Sequence, residues 1–347
     1  MPEEPYRNAG APGTDIRYMR HALDLAKNGV GLVSPGALVG AVIVRDGAVA
    51  GEAFYTFDGI HHAEILAMRA AGDRVRGATV YVTLEPCSHI GRTPPCADAL
   101  IAAGVSRVVC AMADPNPLVN GQGIERLRAA GVEVVAGVLE HEARELNEAF
   151  ITTKTQRRPF GILKLAMTLD GKIATRSGES QWITGLEARR AVQDLRHSVD
   201  AIITGSGTFL KDRPRLTDRT GLPRRRELLR IVLDRRGRIS PEPGWLVFGG
   251  SLSALVDELN RREIQSFLVE AGPDLSFNVA QAGIMDKVVA FIAPKLLGGS
   301  AVLAFGGEGF ERLSDLIVLK NTSLTTAGQD YVLTAYFRQH PGDGPST

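Results

Sequence analysis

Cysteine is scarce: 3 residues in a chain of 347. That number excludes a disulfide framework, and it implies a reducing, cytoplasmic setting in which cysteines more often hold metal or do chemistry. Long apolar runs are also missing. No stretch approaches the roughly 18 uninterrupted apolar residues of a membrane helix, so no membrane partner is expected. Nor is there an excess of one charge. Lys and Arg number 40 against 39 Asp and Glu, a net charge of +1. A near-neutral chain lacks the basic footprint of a nucleic-acid binder. Residues 1–13 lack the basic-then-apolar order of a signal peptide and read as a frayed tail, 1–14 in the domain plan. Internal repeats and low-complexity segments are absent. What charge clustering exists is local, at Arg224, Arg225 and Arg226 and at Arg235 and Arg236. Such runs usually mark a solvated loop; the alternative is a contact to phosphate.

What is present is an alternation of short apolar runs with helical patterns, which predicts an α/β class. The length suits two domains at roughly 100–200 residues each. Thr14 or Asp15 can cap a first helix carrying Ile16, Met19, Leu23 and Ala26. Residues 38–44 and 49–57 read as antiparallel strands across the turn Asp46-Gly47. A helix over 62–71, strands at 79–83 and 107–112, and a helix over 96–103 follow. Helices at 121–130 and 141–151, with a strand at 132–135, close this half. The polar stretch 152–158 is the predicted boundary, giving domains of 15–152 and 153–347. The second half repeats the alternation. Strands are expected at 161–167, 201–204, 229–233, 267–270 and 288–293, with helices at 187–197, 252–262 and 275–282. A long loop is expected over 213–226.

One constellation carries chemistry. His61-His62-Ala63-Glu64 opens a helix, Glu85-Pro86-Cys87 follows a strand, and Pro94-Pro95-Cys96 opens the next helix. His62, Cys87 and Cys96 supply one imidazole and two thiolates, leaving the fourth position of a zinc ion open for water. Cysteines at helix N-termini are favoured as thiolates. Glu64 is not needed as a ligand and is placed to carry the proton from water to the leaving nitrogen. The order H-x-E, then P-C and C, is that of zinc-dependent deaminases. His61 reads as a bystander, and Cys110, inside an apolar strand, as a small buried hydrophobe. Lys164, in another apolar strand, stands out because a lone lysine is rarely buried without a partner or a task.

The run from Tyr81 through Cys87-Ser88-His89, then Gly91-Arg92-Thr93-Pro94-Pro95-Cys96, resembles the bifunctional deaminase/reductase (RibD) family of riboflavin biosynthesis. So does Asp114-Pro115-Asn116-Pro117-Leu118-Val119. The second half is similar to that family's reductase domain in Leu169-Asp170-Gly171-Lys172, Gly178-Glu179-Ser180-Gln181-Trp182, Gly205-Ser206-Gly207-Thr208, Asp212-Arg213-Pro214 and Ala293-Pro294-Lys295. The resemblance implies a cytidine-deaminase-like α/β/α domain followed by a dihydrofolate-reductase-like α/β domain. It implies deamination of a diamino-pyrimidine ribosyl phosphate, then NADPH reduction of the ribosyl to a ribityl chain. It further implies substrate contacts from His89, Arg92, Lys164, Ser180, Arg196, Leu216, Arg219 and Glu270. Ala166, Trp182, Thr208, Asp212, Gly272, Pro273, Asp274, Leu275, Ser276, Phe277 and Asn278 would meet the cofactor. A homodimer or higher homo-oligomer is implied as well.

Three departures from the family stand out. Gly36 occupies the place of an asparagine that contacts the pyrimidine. Ala271 replaces a glycine in Glu270-Ala271-Gly272. The stretch between Asp234 and Val269 is short, and Arg235 replaces a small hydroxyl residue. The competing expectations are an active deaminase whose second domain is only structural, an RNA-editing deaminase, and a non-catalytic zinc-binding partner.

Overall fold

The computed structural model describes residues 13–116 and 119–338. The N-terminal tail read over the first residues lies outside them, apart from its last positions, as do Pro117 and Leu118 of the Asp114–Val119 motif. The chain divides between Arg157 and Arg158 into two compact units.

The first unit starts with helix α1 (Gly13–Lys27). The hairpin β1 (Gly40–Arg45) and β2 (Ala48–Phe54) follows, then α2 (Ala63–Ala71), β3 (Thr79–Val82), α3 (Cys96–Ala103) and β4 (Arg107–Cys110). The unit ends with α4 (Gln122–Ala129), β5 (Glu133–Ala136), α5 (Glu140–Leu146) and α6 (Glu148–Gln156). The sheet order is β2-β1-β3-β4-β5, with β1 antiparallel to its neighbours and β3, β4 and β5 parallel. Alternate residues serve opposite faces. Ala41, Ile43, Val80, Val108 and Cys110 pack under Ala67 of α2, Leu100 of α3 and Leu127 of α4. Val42, Val44, Tyr81 and Val109 pack under Met19 and Leu23 of α1, Ala143 of α5 and Ile151 of α6. The result is the expected α/β/α sandwich.

Local details differ from expectation. Thr14 and Asp15 stand inside the first turn of α1 rather than capping it. Asp15 is buried, and its carboxylate accepts two 2.8 Å hydrogen bonds from Arg107 and one of 2.9 Å from the Tyr81 hydroxyl. The single helix expected over 141–151 is two, broken at Asn147. Its amide bonds the backbone of Leu38 in both directions, at 2.8 and 3.0 Å. The second of these helices continues through most of the polar stretch read as a linker.

The second unit contains β6 (Phe160–Thr168), β7 (Lys172–Ala174), α7 (Leu186–Ser198), β8 (Ala201–Gly205), α8 (Ser206–Asp212), β9 (Leu229–Leu233) and β10 (Leu246–Phe248). It continues with α9 (Leu252–Arg261), β11 (Ser266–Val269), α10 (Pro273–Gln281), β12 (Lys287–Ala293), β13 (Val302–Leu303), β14 (Lys320–Ala327) and β15 (Asp330–Tyr336). Eight strands form one sheet in the order β10-β9-β8-β11-β6-β12-β15-β14. The first six run parallel, and β15 and β14 close the sheet antiparallel. Leu163, Ile203, Ile231 and Phe267 form its core with Leu255 and Leu259 of α9 and Val279 of α10. The order reverses beside β8. The chain moves outward from β8 to β9 and β10, then returns to set β11 between β8 and β6. Loops following β8 and β11 therefore diverge, which opens a crevice at the carboxyl ends of those strands.

Among the described residues no helix is long and apolar enough to cross a membrane.

Candidate active sites

The first site is assembled by three elements. His62 is the residue before α2, Cys87 follows the turn after β3, and Cys96 opens α3. Their donor atoms lie within 4.8 Å of one another. The His62 Nδ1 is 3.2 Å from Cys96 Sγ and 3.5 Å from Cys87 Sγ. The backbone N–H of Cys96 donates to the Cys87 sulfur at 3.3 Å. One nitrogen and two sulfurs within this span fit a zinc ion, whose bonds to such donors are roughly 2.0–2.3 Å long. A hydrogen bond from Cys96, aided by His62, brings the Cys87 thiol down to about 4 against the cost of burial. That same hydrogen bond and burial push Cys96 up.

Glu64, two residues past His62, is buried. Burial raises its pKa above the usual glutamate range, with His62 opposing. A carboxyl that readily holds a proton beside the metal group is what proton transfer in deamination requires. His61 turns away, with its Nε2 3.0 Å from Arg69. Cys110 is fully buried in the core.

Sequence reading treated Glu85 only as part of a motif. It is the keystone of the cysteine turn. Its buried carboxylate accepts from four backbone N–H groups, those of Asp114, Gly121, Gly123 and Ile124, at 2.8–3.2 Å. The backbone at Asp114 and at residues 121–124 is thereby clamped onto the Cys87 turn. Gly123 fits there because a Cβ would lie 1.9 Å from the Pro86 carbonyl oxygen. His89 is exposed in the loop between the cysteines. Arg92 donates to the Phe57 carbonyl at 2.8 Å and lies 4.4 Å over that ring.

The second site is the crevice between β8 and β11, a cleft of roughly 1260 Å³. Of the residues expected at the cofactor, Thr208, Asp212, Gly272, Pro273, Asp274, Leu275 and Asn278 line it, joined by Ser180. The Gly272 N–H donates to Thr208 Oγ1 at 3.0 Å, tying the starts of α8 and α10 together. Ser276 and Phe277 do not line the cleft. Ser276 is on the buried face of α10, and Phe277 stacks edgewise on Phe310, ring centroids 5.5 Å apart. Trp182 is 63% exposed beneath the Arg189 guanidinium, and Ala166 sits mid-strand opposite Phe291. The start of α10, which lines the cleft from Gly272 to Leu275, suits a pyrophosphate.

Comparison with known proteins covers both units. Residues 12–112 match the cytidine and deoxycytidylate deaminase zinc-binding region, and residues 159–333 match the RibD C-terminal domain. The riboflavin biosynthesis protein RibD of Escherichia coli (strain K12) is 42% identical over 360 residues, covering 92% of this chain and 98% of the relative. The chain belongs to the RibD family. Two solved RibD-family structures share its fold nearly end to end. Acinetobacter baumannii RibD, form 1, has a TM-score of 0.84 at 38% identity, covering 93% of this chain and 98% of its own. The Thermotoga maritima diaminohydroxyphosphoribosylaminopyrimidine deaminase/5-amino-6-(5-phosphoribosylamino)uracil reductase has the same TM-score at 35% identity and the same coverage. This chain is accordingly a two-domain deaminase/reductase of riboflavin biosynthesis, a zinc-binding deaminase domain followed by a RibD reductase domain.

The remaining residues that the RibD resemblance singled out gather at the end of β11. Glu270 accepts from Arg196 at 2.7 and 3.0 Å and from Lys164 at 3.4 Å. Burial opposes its ionisation, yet the two cations outweigh burial and hold the carboxyl below the usual glutamate range. Lys164 thus has the partner its burial demanded. Arg196 also donates to the Thr217 carbonyl at 3.2 Å, which brings buried Leu216 alongside. The Arg219 side chain is exposed, while its backbone N–H bonds Gln193 at 3.1 Å. Arg224, read as part of a solvated run, instead caps the end of α7. It donates to the carbonyls of Arg196, His197 and Val199 at 2.7–3.1 Å. Its partners are some 25 positions away, so no local pattern marks it.

Proposed function

We propose that the first unit deaminates 2,5-diamino-6-(5-phosphoribosylamino)pyrimidin-4(3H)-one, in line with the diaminohydroxyphosphoribosylaminopyrimidine deaminase named for the Thermotoga maritima relative, and that the second reduces the product's ribosyl group with NADPH. The observation that carries this reading is the meeting of His62, Cys87 and Cys96 within one ligand span, with Glu64 buried beside them. His62, Cys87 and Cys96 would hold a zinc ion, which would supply a water acidic enough to act as a nucleophile at neutral pH. Glu64, buried beside them, would carry a proton from the attacking water to the departing amino nitrogen, so that ammonia leaves neutral. Cys87 and Cys96 fix the metal's position through the backbone of two elements. His89 and Arg92 border the loop beside it, where guanidinium and imidazole suit a sugar phosphate.

In the second unit, NADPH supplies the hydride. Thr208, Gly272 and the first turn of α10 would hold its pyrophosphate, and Lys164, Arg196 and Glu270 would bind the substrate. The edge strand β14, exposed along its length, offers a second copy a pairing edge, which supports a homo-oligomer. Three unpaired cysteines suit a reducing cytoplasm.

A coupled assay on the zinc-loaded chain tests the reading, with the freshly made diamino-pyrimidine ribosyl phosphate and NADPH. Ammonia release and NADPH oxidation are followed separately, and both are expected. Glu64→Gln is expected to keep stoichiometric zinc while ammonia release falls by about 10²-fold or more. A near wild-type rate in that variant would remove Glu64 from the proton path. Ammonia without NADPH oxidation would leave the second unit a structural domain.

A further inference from the structure

No helix or strand runs between Asp212, at the end of α8, and Leu229, at the start of β9. Leu216 and Arg219, two of the residues read as substrate contacts, stand in this stretch. Arg196, a third, stands on the last turn of α7. A loop of this length keeps one shape only where its polar groups find fixed partners. Leu216 needs that support most. It is buried with a φ of 43°, in the left-handed region that residues other than glycine rarely adopt.

The support comes from the carboxylate of Asp218, between Leu216 and Arg219. Its side chain and that of His197 are only 9% and 4% exposed. One oxygen accepts from His197 Nδ1 at 2.8 Å and from Arg224 at 3.3 Å. The other accepts from the Thr220 N–H at 3.0 Å and the Thr220 hydroxyl at 2.8 Å. An ionised carboxylate only accepts, so Nδ1 carries the imidazole proton. His197 follows Arg196 directly, so the carboxylate fastens the loop to the same turn of α7 that presents Arg196. Two flanking bonds keep the register: Arg196 donates to the Thr217 carbonyl, and the Arg219 N–H donates to Gln193. The family resemblance gives neither Asp218 nor His197 a role. We propose that Asp218 and His197 form a latch that positions Arg196, Leu216 and Arg219 as one surface for the phosphorylated substrate of the reductase domain. Both are positioning residues, acting through the groups they hold. The proposal rests on the reading of those three residues as substrate contacts.

Steady-state NADPH oxidation by the full-length chain tests this, with the deaminated pyrimidine ribosyl phosphate as substrate. Asp218→Asn and His197→Ala are each expected to raise the KM for that substrate about tenfold, the worth of one charge-assisted hydrogen bond. The KM for NADPH is expected to hold within about twofold, because the lost contacts serve only one ligand. A merely structural role would instead lower the folded fraction, and so the apparent kcat, and leave both KM values alone. His197→Asn puts an amide nitrogen where Nδ1 stands, and is expected to keep the substrate KM within about threefold of the wild type. Three results would each overturn the latch while leaving the reductase reading in place. They are an unchanged substrate KM in Asp218→Asn and His197→Ala, a rise shared equally by NADPH, and a His197→Asn variant as impaired as His197→Ala. A wild-type chain that oxidises no NADPH with this substrate would overturn that reading, and the latch with it.

Discussion

A Cβ on Gly36 would stand 2.9 Å from the Val33 carbonyl oxygen and 3.0 Å from the Tyr55 ring. The absence of an asparagine there, visible in the sequence as a missing amide, is thus matched by a second residue that fills its space. Tyr55 lies edge-on to His62, ring centroids 5.5 Å apart at 88°. Restoring the amide alone has no room to succeed. Gly36→Asn is expected to displace Tyr55 and to cost about 1–3 kcal/mol of stability, the usual penalty of overpacking. Urea unfolding of the variant checks this, together with the KM for ammonia release. Unchanged stability with a lower KM would show that Tyr55 yields freely and that the site prefers the amide. The same residues show what one sequence reveals. His62, Glu64, Cys87 and Cys96 were legible because few residue types do this chemistry and their order is distinctive. Tyr55, Glu85 and Arg224 were not. Each is common in kind, and each acquires its role from partners brought close only by folding.

Elements were legible where local chemistry dictates them. The hairpin at Asp46-Gly47 follows from a turn that requires positive φ at both positions, and both adopt it, at 52° and 77°. The strands β14 and β15 were missed. β14 is Lys-Asn-Thr-Ser-Leu-Thr-Thr-Ala and almost wholly exposed, so no apolar alternation announces it. The short segment before α9 is explained by packing. Trp245 sets its ring edgewise on Phe209 of α8 at 4.9 Å, and Arg230 covers the indole at 5.2 Å, so this segment braces the helix that lines the cleft. In the first unit, Glu85 does for the metal site what no helix cap could. Glu85→Gln replaces one acceptor oxygen by a donor and strands N–H groups that now have a partner. A loss of about 1–3 kcal/mol is expected, with faster release of zinc to a chelator, because the Cys87 turn is no longer clamped. Thermal melting and chelator kinetics measure the two effects. Faster metal loss without destabilisation would mean that the clamp acts only on the turn.

The whole molecule carries nearly equal numbers of acids and bases, so its response to acid is set by specific buried pairs rather than by net charge. Each unit has such a pair. In the first, the Arg107 guanidinium, against the cost of burial, holds Asp15 below the usual aspartate range. In the second, burial opposes ionisation of Asp218, but the Thr220 N–H and His197 overcome it and bring the carboxyl down to about 2. His197 Nδ1 lies 2.8 Å from that carboxylate, and Arg224 lies 3.3 Å away. A carboxyl whose folded pKa is depressed stabilises the fold wherever the unfolded chain is also ionised, that is, above about pH 4. The contribution is lost as pH falls from about 4 toward about 2, when both states hold the proton. For Asp218 the shift corresponds to roughly 2 kcal/mol. Asp218→Asn is therefore expected to lie about 2 kcal/mol below the wild type at pH 6, and the two curves should converge near pH 2. Urea unfolding across that range, followed by the fluorescence of Trp182 and Trp245, both in the second unit, reads the effect where it arises. A gap that stayed constant with pH would assign the loss to the neutral hydrogen bonds of Thr220 rather than to the charge that Asp218 presents to His197 and Arg224.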